Sequence, residues 1–114
     1  MKLSERLNAV KEYLPRGLVV ADIGADRGEL SLFLLREGIA QEVILTDISE
    51  KSLLRAKQLF VGEKEAERAD FRVGNGLAVL MPKEASYAVF AGMGGLTICK
   101  ILTDSPDVTA SLDG

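Results

Sequence analysis

Four short apolar runs in this chain each give way to a cluster of Gly, Asp or Asn, and each of three of those clusters precedes a segment with helical spacing. Residues 18–23 form the first run and lead into Asp22-Ile23-Gly24-Ala25-Asp26-Arg27-Gly28. A continuous apolar run, rather than an alternating one, is expected of a strand covered on both faces of a parallel sheet. A helix over about residues 28–37 follows, with Leu30, Phe33 and Leu34 inward and Gly38 as its C-cap. The second strand is expected at 43–46, followed by Ser49 as N-cap and a helix with Leu53, Ala56 and Phe60 on one face. Residues 71–73 and 87–91 give two more strands, and a last helix uses Ile98, Ile101 and Leu102. A short helix carrying Leu7, Val10 and Leu14, capped by Ser4 and ended by Pro15-Arg16-Gly17, precedes the first strand. Strands alternating with helices mean parallel βαβ units with right-handed crossovers. The expected fold is α/β: a doubly wound parallel sheet of about four strands with flanking helices.

Composition fits one globular domain over residues 1–114, with 47% hydrophobic and 27% charged residues and a core built mainly from Leu, Val, Ile and Ala. The chain has no histidine, which removes Ser-His-Asp and Cys-His catalysis and histidine-ligated metals. The single cysteine, Cys99, can neither close an internal disulfide nor supply a zinc cluster, so no metal site is expected and a reducing, cytoplasmic setting is. No run of about 18 apolar residues points to a membrane. A net charge of −3 argues against a free-standing nucleic-acid binder, although it leaves room for a local basic face. Lys2, Arg6, Lys11 and Arg16 cluster around the first helix and offer either a phosphate path or an ordinary solvated face.

In doubly wound sheets the ligand sits outside the carboxyl ends of the strands. That rule gathers Asp22 to Gly28, Asp47, Gly74-Asn75-Gly76 and Gly92-Met93-Gly94-Gly95 at one place. The first loop reads D-x-G-x-D-x-G rather than the G-x-G-x-x-G that cradles a pyrophosphate. Two carboxylates beside a helix start repel a diphosphate and attract a ligand bearing an ammonium or sulfonium cation, such as S-adenosylmethionine. On this reading Asp22 orients the loop and the methionine ammonium, and Gly24 and Gly28 let the backbone come close. A ligand-free Asp/Gly turn is the plain alternative. Asp47 lies 25 residues beyond Asp22, near the roughly 20-residue offset of ribose-binding acids, and otherwise would simply start a helix ahead of Ser49. Asn75 has an amide suited to an adenine edge, or is an ordinary Asn-Gly turn residue. The three glycines of "GMGG" cost backbone entropy unless something passes close to them, with Met93 either a pocket wall or a core filler.

With these segments in place, the chain resembles the class I S-adenosylmethionine-dependent methyltransferases, whose fold is Rossmann-like. More narrowly, it resembles the bacterial tRNA (adenine(22)-N(1))-methyltransferase family. The narrower resemblance rests on "KLSERLNAVKEYLPRG", "ADIGADRGEL", "GNGLAVL" and "AGMGG" before an apolar helix, in that order along nearly the whole chain. It implies methyl transfer from S-adenosylmethionine to N1 of an adenine in tRNA. By position, Asp22, Gly24 and Asp26 match the cofactor motif, Asp47 its ribose position and Asn75 its adenine-side position, and Gly28, Ile48 and Gly76 beside them are also expected to bind the cofactor. Gly92, Met93 and Gly94 match the loop between cofactor and target base, and Asp26 is the expected catalytic residue. Adenine N1 already carries a lone pair, so a carboxylate would position the exocyclic amine and stabilise the cationic product rather than act as a base.

The chain departs from the family pattern in two ways. Arg27-Gly28-Glu29 stands where many members have a histidine followed by a small and an aromatic residue. The family also has further strands and a C-terminal helical region, so the chain is expected to be the N-terminal, cofactor-binding part of a longer methyltransferase, C-terminally incomplete, with "VTASLDG" approaching a fifth strand. An uncovered fourth strand carrying Val89 and Phe90 would then invite a homodimer through its edge. Two other functions fit the generic motifs: a class I methyltransferase with a small-molecule or protein substrate, and an adenosine-ligand binding module without turnover.

Overall fold

The computed structural model describes residues 18–90 and 93–114. The expected first helix, with Lys2, Arg6, Lys11 and Arg16, lies outside the described residues, as do Ala91 and Gly92. The described elements run β1 (Leu18–Ile23), α1 (Glu29–Arg36), β2 (Ala40–Asp47), α2 (Glu50–Phe60), β3 (Ala69–Val73), β4 (Tyr87–Val89), α3 (Gly95–Asp104) and α4 (Pro106–Ser111). Two single 3-10 turns, Lys64–Arg68 and Gly76–Val79, lead into and out of β3. All strand pairs are parallel and the sheet order is β3-β2-β1-β4. The chain winds outward from β1 to β3, then crosses back to place β4 on the other side of β1. That reversal is the switch point beside which such sheets bind ligands.

The apolar strands are explained by cover on both faces. Val20, Val43 and Leu45 join one cluster with Leu30, Leu34, Leu35, Leu53, Ala56 and Phe60 of α1 and α2. Ala21, Ile23 and Ile44 join a second cluster with Leu77, Leu80, Ile101 and Val108. Phe60 meets Phe71 edge to face, with ring centroids 5.4 Å apart, which ties α2 to the β3 edge. Arg72 holds the connection from β3 to β4: its guanidinium donates to the Val79 carbonyl and pairs with Glu84 and Asp70. No helix among the described residues is long and apolar enough to cross a membrane.

Several expectations change in detail. Strand β2 runs from Ala40, longer than residues 43–46, because Ala40 pairs with Leu18 and the polar Glu42 with Val19, while Gln41 between them is skipped by the register. In α1, Phe33 is only half-buried whereas Leu32 and Leu35 are buried, since the helix packs against β2, α2 and the Lys64–Arg68 turn rather than along one stripe. The stretch expected to approach a fifth strand begins as a helix through Ser111. Pro106 sits in the first turn of α4, and the Thr109 hydroxyl donates to the Ser105 and Leu102 carbonyls. Only the following residues reach the β4 edge, where Asp113 N–H donates to the Ser86 carbonyl at 2.6 Å and Ala88 N–H to the Gly114 carbonyl at 2.9 Å. The fourth strand is therefore not a bare apolar edge. Val89 is buried and Phe90 packs against the second cluster.

Gly28 sets how closely the two helices of the first layer approach. It caps α1 in the left-handed region (φ 76°), and a Cβ there would lie 2.9 Å from the Ala56 Cβ and 3.3 Å from Leu45 Cδ2. Gly28→Ala should therefore lower stability by about 2 kcal/mol or more, combining left-handed strain with a clash. Urea unfolding of Gly28→Ala and of Gly28→Ala/Ala56→Gly checks the division. The double variant should recover the clash contribution and keep the backbone one.

Candidate functional site

The parallel register brings the carboxyl ends of the strands level: Asp22 lies opposite Leu45 and Val89, Ile23 opposite Thr46, and Asp47 opposite Val73. After Ile23 the chain folds back over the end of β2. Gly24 N–H and Ala25 N–H both donate to the Thr46 carbonyl at 2.9 Å, and Gly28 N–H closes a turn onto the Ala25 carbonyl. Gly24 needs its left-handed φ of 71°, and a Cβ there would strike Met93 Cε at 2.4 Å. Met93 thus lies over the first loop while packing against the second cluster, as a core filler does.

Asp47 joins the loops. Its Oδ2 accepts from Asp26 N–H at 3.0 Å, its Oδ1 accepts from Ser49 N–H at 2.8 Å, and its backbone carbonyl accepts from Gly74 N–H at 2.9 Å. The first loop, the start of α2 and the loop after β3 are therefore fastened to one residue. Ser49 is the N-cap expected of it, accepting from Ser52 N–H at 3.2 Å. Asp26 is exposed and occupies the left-handed region at φ 51°, a strained position for a residue with a side chain. Ile48, next to Asp47, is 76% exposed.

Asp22 is enclosed, at 2% exposure, and its Oδ2 accepts from the Ser31 hydroxyl at 2.7 Å. Burial pushes its carboxyl up from 3.8 to about 6; the Ser31 hydrogen bond pulls the other way, and the negative charge of Asp47 adds to the rise. Ser31 was not singled out from the sequence, although a serine among the inward leucines of α1 is the signal that a buried polar partner exists. Nor was Thr46, which acts through its carbonyl and therefore leaves no side-chain signature. Its own hydroxyl is buried without a hydrogen-bond partner among the described residues.

The remaining glycines divide by what surrounds them. Gly76 (φ 58°) is buried, and a Cβ there would be 2.6 Å from Ile101 Cγ2, so it seats α3 against the loop after β3. Asn75 is exposed beside it and its carbonyl accepts from Ala78 N–H. Gly94, by contrast, has an ordinary φ of −73°, and a Cβ on Gly94 or Gly95 would meet nothing within 4 Å. Neither the backbone conformation nor packing within the described residues demands glycine at these two positions. They leave clearance at the start of α3, next to Met93.

An open parallel sheet with acids ending β1 and β2, and a glycine loop folded between them, is the Rossmann-like arrangement of the methyltransferases. The chain belongs to the methyltransferase domain family, whose model matches residues 3–113. It is 36% identical over 107 residues to the tRNA (adenine(22)-N(1))-methyltransferase of Bacillus subtilis, a match covering 94% of this chain and 45% of that protein. The crystal structure of the B. subtilis m1A22 tRNA methyltransferase TrmK superposes with a TM-score of 0.89, covering 94% of this chain and 46% of that one. The M. capricolum TrmK complex with S-adenosyl-homocysteine matches at 28% identity and a TM-score of 0.84, covering 91% of this chain and 47% of that one. A Streptococcus pneumoniae structure in complex with S-adenosyl-L-methionine matches at 27% identity and a TM-score of 0.90, covering 97% and 52%. The chain thus spans about half the length of these relatives.

The raised Asp22 carboxyl makes a signed prediction. Between about pH 4 and pH 6 the folded chain keeps a proton that the unfolded chain has lost, so this group's contribution to stability falls as pH rises through that window. Asp22→Asn should match the parent in acid and be more stable near neutral pH by up to about 3 kcal/mol. Urea midpoints at the two ends of the window check it; a gap that does not grow with pH would contradict the assignment.

Proposed function

We propose that this chain is the S-adenosylmethionine-binding part of a methyltransferase acting on N1 of an adenine in tRNA, working in the cytoplasm. The observation that carries the cofactor reading is the pairing of Asp22 and Asp47 at adjacent strand ends with the Gly24 to Gly28 loop folded between them. Two anions and no pyrophosphate cradle suit a cationic, phosphate-free adenosine ligand. The tRNA reading is supported by the sequence and structural likeness to the B. subtilis enzyme.

The bound ligand would supply an electrophilic methyl group on a sulfonium. Asp22 would hold the methionine ammonium, and Asp47 the ribose hydroxyls with the lone pairs that its two amide bonds leave over. Gly24 and Gly28 would keep the loop low over the ligand, Ile48 would lie beside the ribose that Asp47 holds, and Asn75 and Gly76 would border the adenine edge. Met93 and Gly94 would border the passage to the target base, and Gly92 is assigned there by sequence position alone. Asp26 would stand there to orient the exocyclic amine. Adenine N1 would accept that methyl through its own lone pair, so the residues here need only align the two groups and need not remove a proton. The Asp26 carboxylate would also stabilise the positive charge that the N1-methylated adenine carries. The acidic net charge favours the second reading, a small-molecule or protein acceptor at the same cofactor site.

Calorimetric titration with S-adenosyl-homocysteine, with NADH as comparison, tests the cofactor site. Binding of the first alone is expected; NADH binding alone would overturn the reading. Asp47→Ala should weaken S-adenosyl-homocysteine binding about tenfold or more. With the Asp22 carboxyl near 6, affinity should fall as pH drops below about 6, approaching tenfold per unit, and Asp22→Asn should abolish that dependence. For the acceptor, methyl transfer into a tRNA transcript, read as N1-methyladenine, should drop further in Asp26→Ala than cofactor affinity does. Transfer to a small molecule or protein instead would favour the second reading.

A further inference from the structure

A cleft of about 320 Å³ lies between the first loop and the outer face of α2, lined by Arg27, Glu29, Arg55, Gln58 and Leu59. Arg27 and Arg55 are far apart in sequence. The fold joins them because Gly28, next to Arg27, packs directly on Ala56, next to Arg55. Arg55, Gln58 and Leu59 share one helical face by their spacing of three and four residues.

Two arginines elsewhere in the fold are held in ion pairs. Arg36 reaches Glu63 and Glu65, and Arg72 pairs with Asp70 and Glu84. Arg27 and Arg55, both exposed, make no ion pair among the described residues, and Glu29 in the same cleft bonds to neither. In a chain with a net charge of −3, two guanidiniums without an ion-pair partner among the described residues share one cleft with a single carboxylate. Guanidinium forks match the oxygens of a phosphate, the Gln58 amide adds a donor, and Leu59 gives an apolar wall for a sugar. The position is also specific. Arg27 directly follows Asp26, whose amide is tied inward to Asp47, so the cleft opens beside the loop that carries the candidate catalytic carboxylate.

We propose that the Arg27–Arg55 cleft binds a backbone phosphodiester of the RNA substrate close to the target adenine. This rests on the RNA-methyltransferase reading above and deepens it by assigning the polyanion a place among the described residues. It also gives Arg27, which departs from the histidine common in the resembled family, a role of its own.

The test is a fluorescence-anisotropy titration of an unmodified tRNA transcript over a series of salt concentrations, with S-adenosyl-homocysteine calorimetry on each protein. Arg55→Ala and Arg27→Ala should each weaken RNA binding roughly tenfold and lower the salt slope by about one. Arg55→Lys should keep the slope, and Arg55→Ala should bind S-adenosyl-homocysteine as the parent does. RNA binding that is equal in the parent, Arg27→Ala and Arg55→Ala, or undetectable in all three, overturns the proposal whatever the cofactor result. Arginine-dependent RNA binding in a parent that fails to bind S-adenosyl-homocysteine upholds the cleft and removes the cofactor reading instead.

Discussion

The Asp47 carboxylate is the fastening on which the ligand end of this molecule depends. One oxygen takes the Asp26 amide, the other takes the Ser49 amide, and the residue's carbonyl takes the Gly74 amide. Strands supply the rigid part, since β1 and β2 are level in register, but strands alone leave their loops free to splay. A short acid placed at the end of β2 gathers three of them with backbone bonds that need no particular side chain from its partners. The conformation it holds is not a relaxed one, because Asp26 sits at φ 51°. Charge-assisted bonds to the amides are strong enough to hold a residue there.

A second constraint works against the first. Asp22 is buried one strand away from Asp47, and burial together with that neighbour keeps its carboxyl near 6. Two acids at adjacent strand ends cost stability unless a cation joins them. The Ser31 hydroxyl offsets only part of that cost. The proposed cationic ligand would relieve that cost, so the reading of this site rests on the acid pair more than on the glycines. Gly28 and Gly76 are explained by Ala56 and Ile101, whereas the room around Gly94 and Gly95 has no such internal account.

Much of this was legible in the chain. The continuous apolar runs, the Ser49 cap, the inward Leu53, Ala56 and Phe60, and the acids ending β1 and β2 all follow from local patterns. Misreadings arose where tertiary contacts override them. Residues 108–111 approach the β4 edge as expected, but as a helix, because Pro106 and the bonds of Thr109 favour one, and only Asp113 and Gly114 pair with the edge. Strand β2 extends through exposed polar residues because pairing with β1, not burial, defines its length. In α1, Leu32 and Leu35 are buried off the expected stripe because a helix enclosed on several sides has no single face.

The sequence by itself determined the class of the molecule: alternating apolar strands and helices, carboxylates at strand ends in place of a pyrophosphate loop, and a motif order shared with one methyltransferase family. Those are properties of local spacing and residue chemistry, so they survive without coordinates. Only the tertiary structure decided which groups meet. It tied Asp26 to Asp47, gave Asp22 its partner in Ser31, turned two glycines into helix contacts, and brought Arg27 beside Arg55. Each of those joins residues from different elements, and their meeting depends on parallel register and helix packing, which the sequence specifies only through the fold as a whole.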